Sequence, residues 1–87
     1  MKNRKIKEII KKAINDRRDK NIMEIVQRCE LEMCQEYYAN NVTVIDPEND
    51  KIGDKWRLNA IRDVDAEIRL AEEEIKRYFS LIDRKES

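Results

Sequence analysis

The chain has 87 residues, and its 19 basic and 19 acidic side chains cancel to a formal net charge of zero. One Gly and one Pro exclude a fold rich in tight turns, and the lack of His removes the base of Ser-His and Cys-His nucleophile schemes. A chain of this length forms one domain and, as a monomer, buries only about 60% of the surface of its unfolded state. We therefore expect a single all-α domain over residues 1–87, a small bundle or hairpin of two to three helices that oligomerisation completes.

The charges are strongly segregated along the chain. Residues 1–20 have a balance of +6, residues 21–50 a balance of −6, and the remaining 37 residues sum to zero. Such asymmetry predicts ion pairing between helices or between subunits.

Two apolar stripes occupy the first half of the chain. The first predicts an amphipathic helix over about residues 3–15, and its members are Ile6, Ile9, Ile10, Ala13 and Ile14. The second predicts a helix over about 21–39, and its members are Ile22, Ile25, Val26, Cys29, Met33 and Tyr37. The stripes lie about 160° apart on one ideal helix. Either the chain breaks near 16–20, which the capping-box spacing of Asn21 and Glu24 favours, or one helix is covered on two sides.

The helical pattern stops over residues 40–54, which predicts the main connection, with a short extended piece at 42–45. Asp54 is the expected N-cap of a long last helix over about 55–83. Its heptad seam predicts an oligomer or partner interface formed by Ile61, Val64, Ile68, Ala71, Ile75 and Tyr78. Acidic residues flank the seam, so we expect the lysine-rich first helix to pack against it.

The sequence favours neither catalysis nor metal binding. At this charge density, adjacent carboxylates are expected to be solvated. Cys29 and Cys34 lie about 140° apart around a helix, which disfavours a disulfide, and two thiols without His cannot close a zinc site. The acids at 46, 48 and 50 have calcium-loop spacing, but Lys51 and Arg57 stand where Gly and a bidentate Glu are required. We expect no enzyme, no metal and no cofactor.

Anion binding has a better basis in the sequence. Arg62, Arg69 and Lys76 recur every seven residues, with Arg57 and Trp56 before them, and guanidinium groups match phosphate oxygens. Tyr37 adds an aromatic ring that either stacks on a ligand or covers the core. The alternative for the arginines is ion pairing with neighbouring acids on a wet surface. Nucleic-acid binding by the first helix has less support, since no aromatic, Asn or Gln side chains interleave its lysines.

The segment Arg57 to Arg77 resembles the last helix of a phage family of small helical hairpins that sequester the cyclic nucleotide signals of bacterial CBASS and Thoeris defences. The matching positions are Arg57, Ala60, Ile61, Val64, Asp65, Ala71 and Ile75. The sequence departs from the family at Leu70, Glu72 and the lead-in at 53–56. The resemblance implies a homo-oligomer, a hexamer in that family, that binds nucleotide messengers between subunits without cleaving them, with Arg57 and Arg62 on phosphate.

Two function classes follow from these observations. The first is a phage-type immune antagonist that sequesters a cyclic nucleotide. The alternative is a helical protein-protein interaction module, such as a host-factor inhibitor or assembly adaptor. Both are expected to be cytoplasmic, in the host cell if the chain is phage-encoded, because no run of 18 apolar residues and no signal-peptide pattern is present.

Overall fold

The computed structural model describes residues 2–86, except the side chain of residue 86. Two antiparallel helices, α1 (Lys2–Ala39) and α2 (Lys51–Glu86), form a helical hairpin, and the described residues contain no strand. The hairpin measures 63 × 19 × 15 Å, and its radius of gyration is 19.2 Å, whereas a compact chain of this length has about 12 Å. The predicted all-α class is confirmed, and the shape is a rod.

Helix α1 is continuous, so the predicted break near residues 16–20 is wrong. The polar residues of this segment are held within the helix or against α2. Lys12 contacts Asp16 at 2.7 Å one turn away, and the guanidinium of Arg18 donates to Asn15 Oδ1 at 3.1 Å. Arg17 pairs with Glu74 of α2. Because these side chains satisfy one another in helical geometry, a polar stretch does not interrupt the helix.

A compact turn joins the helices over residues 40–50. Asn41 adopts a φ of 55°, and the Asn41 and Val42 amides donate to the carbonyls of Tyr38 and Tyr37 at 3.1 and 3.0 Å. This is a Schellman cap with Asn in the left-handed position. Asp50 begins α2, since its Oδ1 accepts the amide of Gly53 at 2.9 Å. The expectations of an N-cap at Asp54, a helix start at residue 55 and an extended piece at 42–45 are therefore wrong.

The two helices meet along positions that repeat every eleven residues. On α2 these positions include Gly53, Val64 and Ile75, and on α1 they include Ile14 and Ile25, all of them buried or half-buried. An eleven-residue repeat has 3.67 residues per turn, against 3.5 for a heptad. The contact line therefore departs from the predicted heptad seam at its ends. The expectation that the first part of α1 packs against the last helix is confirmed within one chain.

The core is thin. Only Ile14, Cys29 and Ala71 are buried among the apolar residues, and no described side chain is fully buried. The accessible surface is 7365 Å², whereas a compact protein of this mass exposes about 5,400 Å². The hairpin thus keeps an excess of about 1,900 Å² in contact with solvent.

Candidate functional site

Four residues form a polar cluster where the turn meets α2. The Tyr37 hydroxyl donates to both carboxylate oxygens of Asp50 at 2.7 Å, and Arg57 Nη1 lies 3.3 Å from Asp50 Oδ2. Asp50 is only 6% exposed. A Cβ at Gly53 would lie 2.6 Å from the Tyr37 hydroxyl, so glycine is required here for space, and no positive φ demands it. The cluster locks α1 to the start of α2.

The electrostatics of this cluster shift the pKa values of both titratable partners further from neutral pH. The hydrogen bond from Tyr37, followed by that from the Gly53 amide, lowers the pKa of Asp50 below its usual 3.8. The same bond to Asp50 raises the pKa of Tyr37 above its usual 10.0. At neutral pH the tyrosine stays protonated and the aspartate ionised, so neither is poised for proton transfer. The side chain of Tyr37 is therefore held at the turn by its hydrogen bond to Asp50.

Trp56 and Arg57 line a small hollow on the hairpin together with Val26, Cys29 and Met33. The volume of the hollow is about 180 Å³, below the roughly 300 Å³ at which drug-sized pockets begin. The indole Nε1 of Trp56 is buried and has no hydrogen-bond partner among the described residues. Two of the five predicted ligand-binding residues therefore share one concavity.

The other predicted ligand residues do not join this concavity. Arg62 and Arg69 are exposed on α2, and their guanidinium groups contact Asp63 at 3.5 Å and Asp65 at 3.1 Å. These contacts are the surface ion pairs of the alternative interpretation. Arg57 is itself shared between Asp50 and Asp54. The structure thus brings Trp56 and Arg57 together, commits Tyr37 to the turn, and leaves Arg62 and Arg69 apart.

The predicted interface residues divide into two groups. Those in the seam between α1 and α2 are buried or half-buried within one chain, and they are Val64, Ile68, Ala71 and Ile75. The remaining two, Ile61 and Tyr78, are exposed because the eleven-residue repeat carries the seam past them. Only these two are free for contact with another molecule.

One long side of the hairpin carries a ladder of polar contacts between the helices, and we call it the ladder side. From the middle towards the turn, the contacts are Arg17 with Glu74, Asn21 with Glu67 at 2.8 Å, Arg28 with Asp63 at 3.3 Å, and Glu36 with Lys55. Along each helix, successive residues of the ladder are one or two helical turns apart, so they lie on one face of that helix. Two of the acids beside the predicted seam, Glu74 and Glu67, are thus met by Arg17 and Asn21. Among the described residues, the N-terminal lysines contribute the cross-helix pair of Lys7 with Asp83 at 2.6 Å.

The ladder side becomes apolar at the open end of the hairpin. There five exposed residues form what we call the open-end patch, and they are Ile6, Ile9, Ala13, Tyr78 and Leu81. Ala13 and Tyr78 line the same hollow beside Glu74, and Leu81 follows Glu74 by two turns. Ile9 is 60% exposed and Leu81 is 59% exposed. The heptad pattern does not predict this patch, although the 160° offset between the two stripes of α1 was a signal for it.

Basic residues surround the open-end patch. Residues 2–13 and 76–85, which form this end, carry ten basic and two acidic side chains, a balance of +8. Lys2, Lys5, Arg77 and Lys85 lie one turn from patch residues on the same helix, and none forms an ion pair with a described side chain. The patch is an apolar surface with a cationic rim.

Within residues 2–86, no group of three or more His, Cys, Asp or Glu side chains is placed to hold a metal ion. Neither helix, over the part of the chain that is described, is long and apolar enough to cross a membrane. No protein-family model, curated protein or solved structure matches the chain.

Proposed function

We propose that this chain is a non-catalytic helical interaction module that docks an acidic, partly apolar surface through its open-end patch. The observation that supports this proposal is the patch itself, which combines five exposed apolar residues with a cationic rim at one end of the molecule. Contiguous apolar surface with a polar rim is typical of protein-protein contact sites.

The energetics of such a contact favour this end of the hairpin. Burying an exposed Ile or Leu contributes about 1.5 to 3 kcal/mol, and Tyr is among the residues enriched at binding hot spots. The rim lysines and arginines would add electrostatic steering towards an acidic partner, which raises the association rate more than the affinity. The reduced thiols of Cys29 and Cys34 fit a cytoplasmic location, which is part of this proposal.

Site-specific photo-crosslinking tests the proposal in the cells that make the protein. A benzophenone side chain is placed at Ile9 or Leu81, and a matched control carries it at Ser80, which is at the same end but about 100° away from Leu81 around α2. We expect discrete adducts from positions 9 and 81 and none from position 80. The captured protein, once identified and purified, should bind at least about tenfold more weakly to Ile9→Asp. Equal adducts from all three positions would contradict the proposal.

A second candidate function rests on the concavity shared by Trp56 and Arg57. An indole beside a guanidinium could stack a base and hold a phosphate, which is the sequestration of a cyclic nucleotide that the resemblance of α2 implies. A phosphate would have to displace Asp50 and Asp54 from Arg57. Calorimetric titration with cyclic di- and trinucleotides and cyclic ADP-ribose isomers tests this candidate. Binding that is lost in Arg57→Ala and kept in Arg69→Ala supports it, and no heat from any ligand contradicts it.

A further inference from the structure

A second apolar surface lies on the side of the hairpin opposite the ladder, nearer the turn. It is formed by exposed Ile61 and Val26 and by half-buried Ile22, Met33 and Ile68, and we call it the far-side patch. Val26 and Met33 line one hollow with Arg57, which is one turn before Ile61 on α2. With residues paired across the hairpin as Arg28 is with Asp63, Ile61 lies level with Glu30, one helical turn or about 6 Å from Val26 and between Val26 and Met33. The far-side patch is therefore continuous across both helices.

The two patches are opposite in charge as well as in position. The half of the hairpin that contains the far-side patch, residues 22–68, has eleven acidic and five basic side chains, a balance of −6. Glu30 and Glu72 lie one turn from Val26 and Ile68, and neither forms an ion pair with a described side chain. The open end has a balance of +8. The open-end patch thus has a basic rim, and the far-side patch lies in the acidic half of the molecule, where Arg57 is paired with Asp50 and Asp54.

From this complementarity we infer that the partner of the open-end patch is the far-side patch of a second copy of the chain. The inference rests on the proposed function and narrows its partner. The hairpin exposes about 1,900 Å² more than a compact protein of its mass, an excess of the size that a standard interface buries in total. When copies associate through these patches, α1 is covered on two sides, by α2 and by the neighbouring chain.

The contact is heterologous, because it joins two different surfaces. The patches face opposite sides of the hairpin, and their centres are separated by about 26 Å along the axis of α1, from Ile9 to Val26 at 1.5 Å per residue. Each copy therefore has one patch of each kind left for a further neighbour. Such a contact closes into a ring if the rotation between neighbours allows it and otherwise propagates as a chain.

Light scattering on purified protein tests the inference with one variant for each patch. Ile9→Asp disables the open-end patch, and Ile61→Asp disables the far-side patch at a residue that is 64% exposed. Leu31→Asp is the matched control, since Leu31 is 60% exposed but lies on the outer face of α1. We expect the wild type and Leu31→Asp to exceed the mass of a dimer, and each patch variant alone to stay at the 10.5 kDa of one chain. Circular dichroism confirms that each variant is folded.

The decisive sample is an equimolar mixture of Ile9→Asp and Ile61→Asp. Each variant keeps the patch that the other has lost, so the mixture should form a 1:1 complex of about twice the chain mass and nothing larger. A monomeric wild type would overturn the inference while leaving the proposed function open to another partner, which the photo-crosslinked adducts would identify. Dimers of either variant alone would mean that like patches meet, and a mixture that stays monomeric would mean that the two patches do not bind each other; either result would overturn the inference. If Leu31→Asp lowered the mass of the assembly as much as the patch variants do, the association would be a non-specific apolar contact.

Discussion

The side chains at the turn end and at the open end of the hairpin differ in what they contact. At the turn end, Tyr37, Asp50 and Arg57 are engaged with one another, and a glycine leaves room for them. At the open end, Ile9, Tyr78 and Leu81 are exposed, and several basic side chains form no ion pair with a described side chain. The first region fixes the fold, whereas the second presents chemistry that only another molecule can satisfy. We expect a rod whose turn end is internally paired and whose open end is exposed to act by binding another molecule.

A matched pair of substitutions on α1 tests this contrast with the largest expected effect. Ile14→Ala removes a buried side chain and should lower the free energy of unfolding by about 2 to 4 kcal/mol. Ile9→Ala removes the same atoms from an exposed site and should change it by less than about 0.5 kcal/mol. Urea unfolding at concentrations where the chain is monomeric measures both. Equal losses would show that Ile9 belongs to the core.

Gly53→Ala tests how tightly the turn end is specified. Alanine favours helix over glycine, but its Cβ would lie 2.6 Å from the Tyr37 hydroxyl and from Asp50 Cγ. We expect a net loss of about 1 to 3 kcal/mol, as for other overpacked sites. Lys51→Ala, at an exposed position in the first turn of α2, is the control for a local change in helix propensity. A gain in melting temperature for Gly53→Ala would mean that the cluster yields without strain.

The dependence of stability on pH tests the charge of Asp50. Its pKa is lowered in the folded state, chiefly by the Tyr37 hydrogen bond, so the ionised form stabilises the fold above the ordinary pKa of 3.8. That contribution is lost as the pH falls through the lowered pKa. Asp50→Asn should therefore melt lower than the wild type at neutral pH, by less than Gly53→Ala, and the difference should shrink in acid. A constant difference between pH 7 and pH 2 would exclude this linkage.

The smallest effect is expected at the ion pair of Lys7 with Asp83, which joins the helices at the open end. Lys7 contacts Asp83 at 2.6 Å and lies 5.4 Å from the ring centroid of Phe79. Lys7→Met should lower stability by about 0.5 to 1 kcal/mol, and less at high salt, because the pair is partly exposed. Lys11→Met, one turn further along, should have no measurable effect. An equal effect of the two substitutions would point to general charge, not to this contact.

Much of the fold was predictable because it depends on local pattern. The apolar stripes of α1, the interruption around Asp46 and Pro47, and the long last helix are each encoded within short windows of sequence. The continuity of α1 through residues 16–20 was not, because Arg17 and Asn21 are held by Glu74 and Glu67, which lie 57 and 46 residues away. The N-cap at Asp50 was missed for a related reason, since Asp54 has the same intrinsic preference and only the contact with Tyr37 distinguishes them.

The candidate site depended even more on tertiary structure. Arg57 and Trp56 are adjacent in sequence, but the hollow that they share also needs Val26, Cys29 and Met33 of α1. The ion pairs of Arg62 and Arg69, in contrast, are with neighbouring acids on α2 itself. The open-end patch needs residues from both ends of the chain. Ile9 and Leu81 lie near opposite ends of the chain, so no short window of sequence contains both.

By itself, the sequence determined that this protein is all-α, that its charges are segregated, and that the first half of the chain carries two apolar stripes about 160° apart, because helical periodicity and charge order are local properties. Only the tertiary structure decided which part of that surface α2 covers. The eleven-residue register of the two packed helices buries Ile14 and leaves Ile9 exposed, and it carries Ile61 and Tyr78 out of the seam. A contact line shared by two helices is a property of the pair, and neither helix encodes it alone.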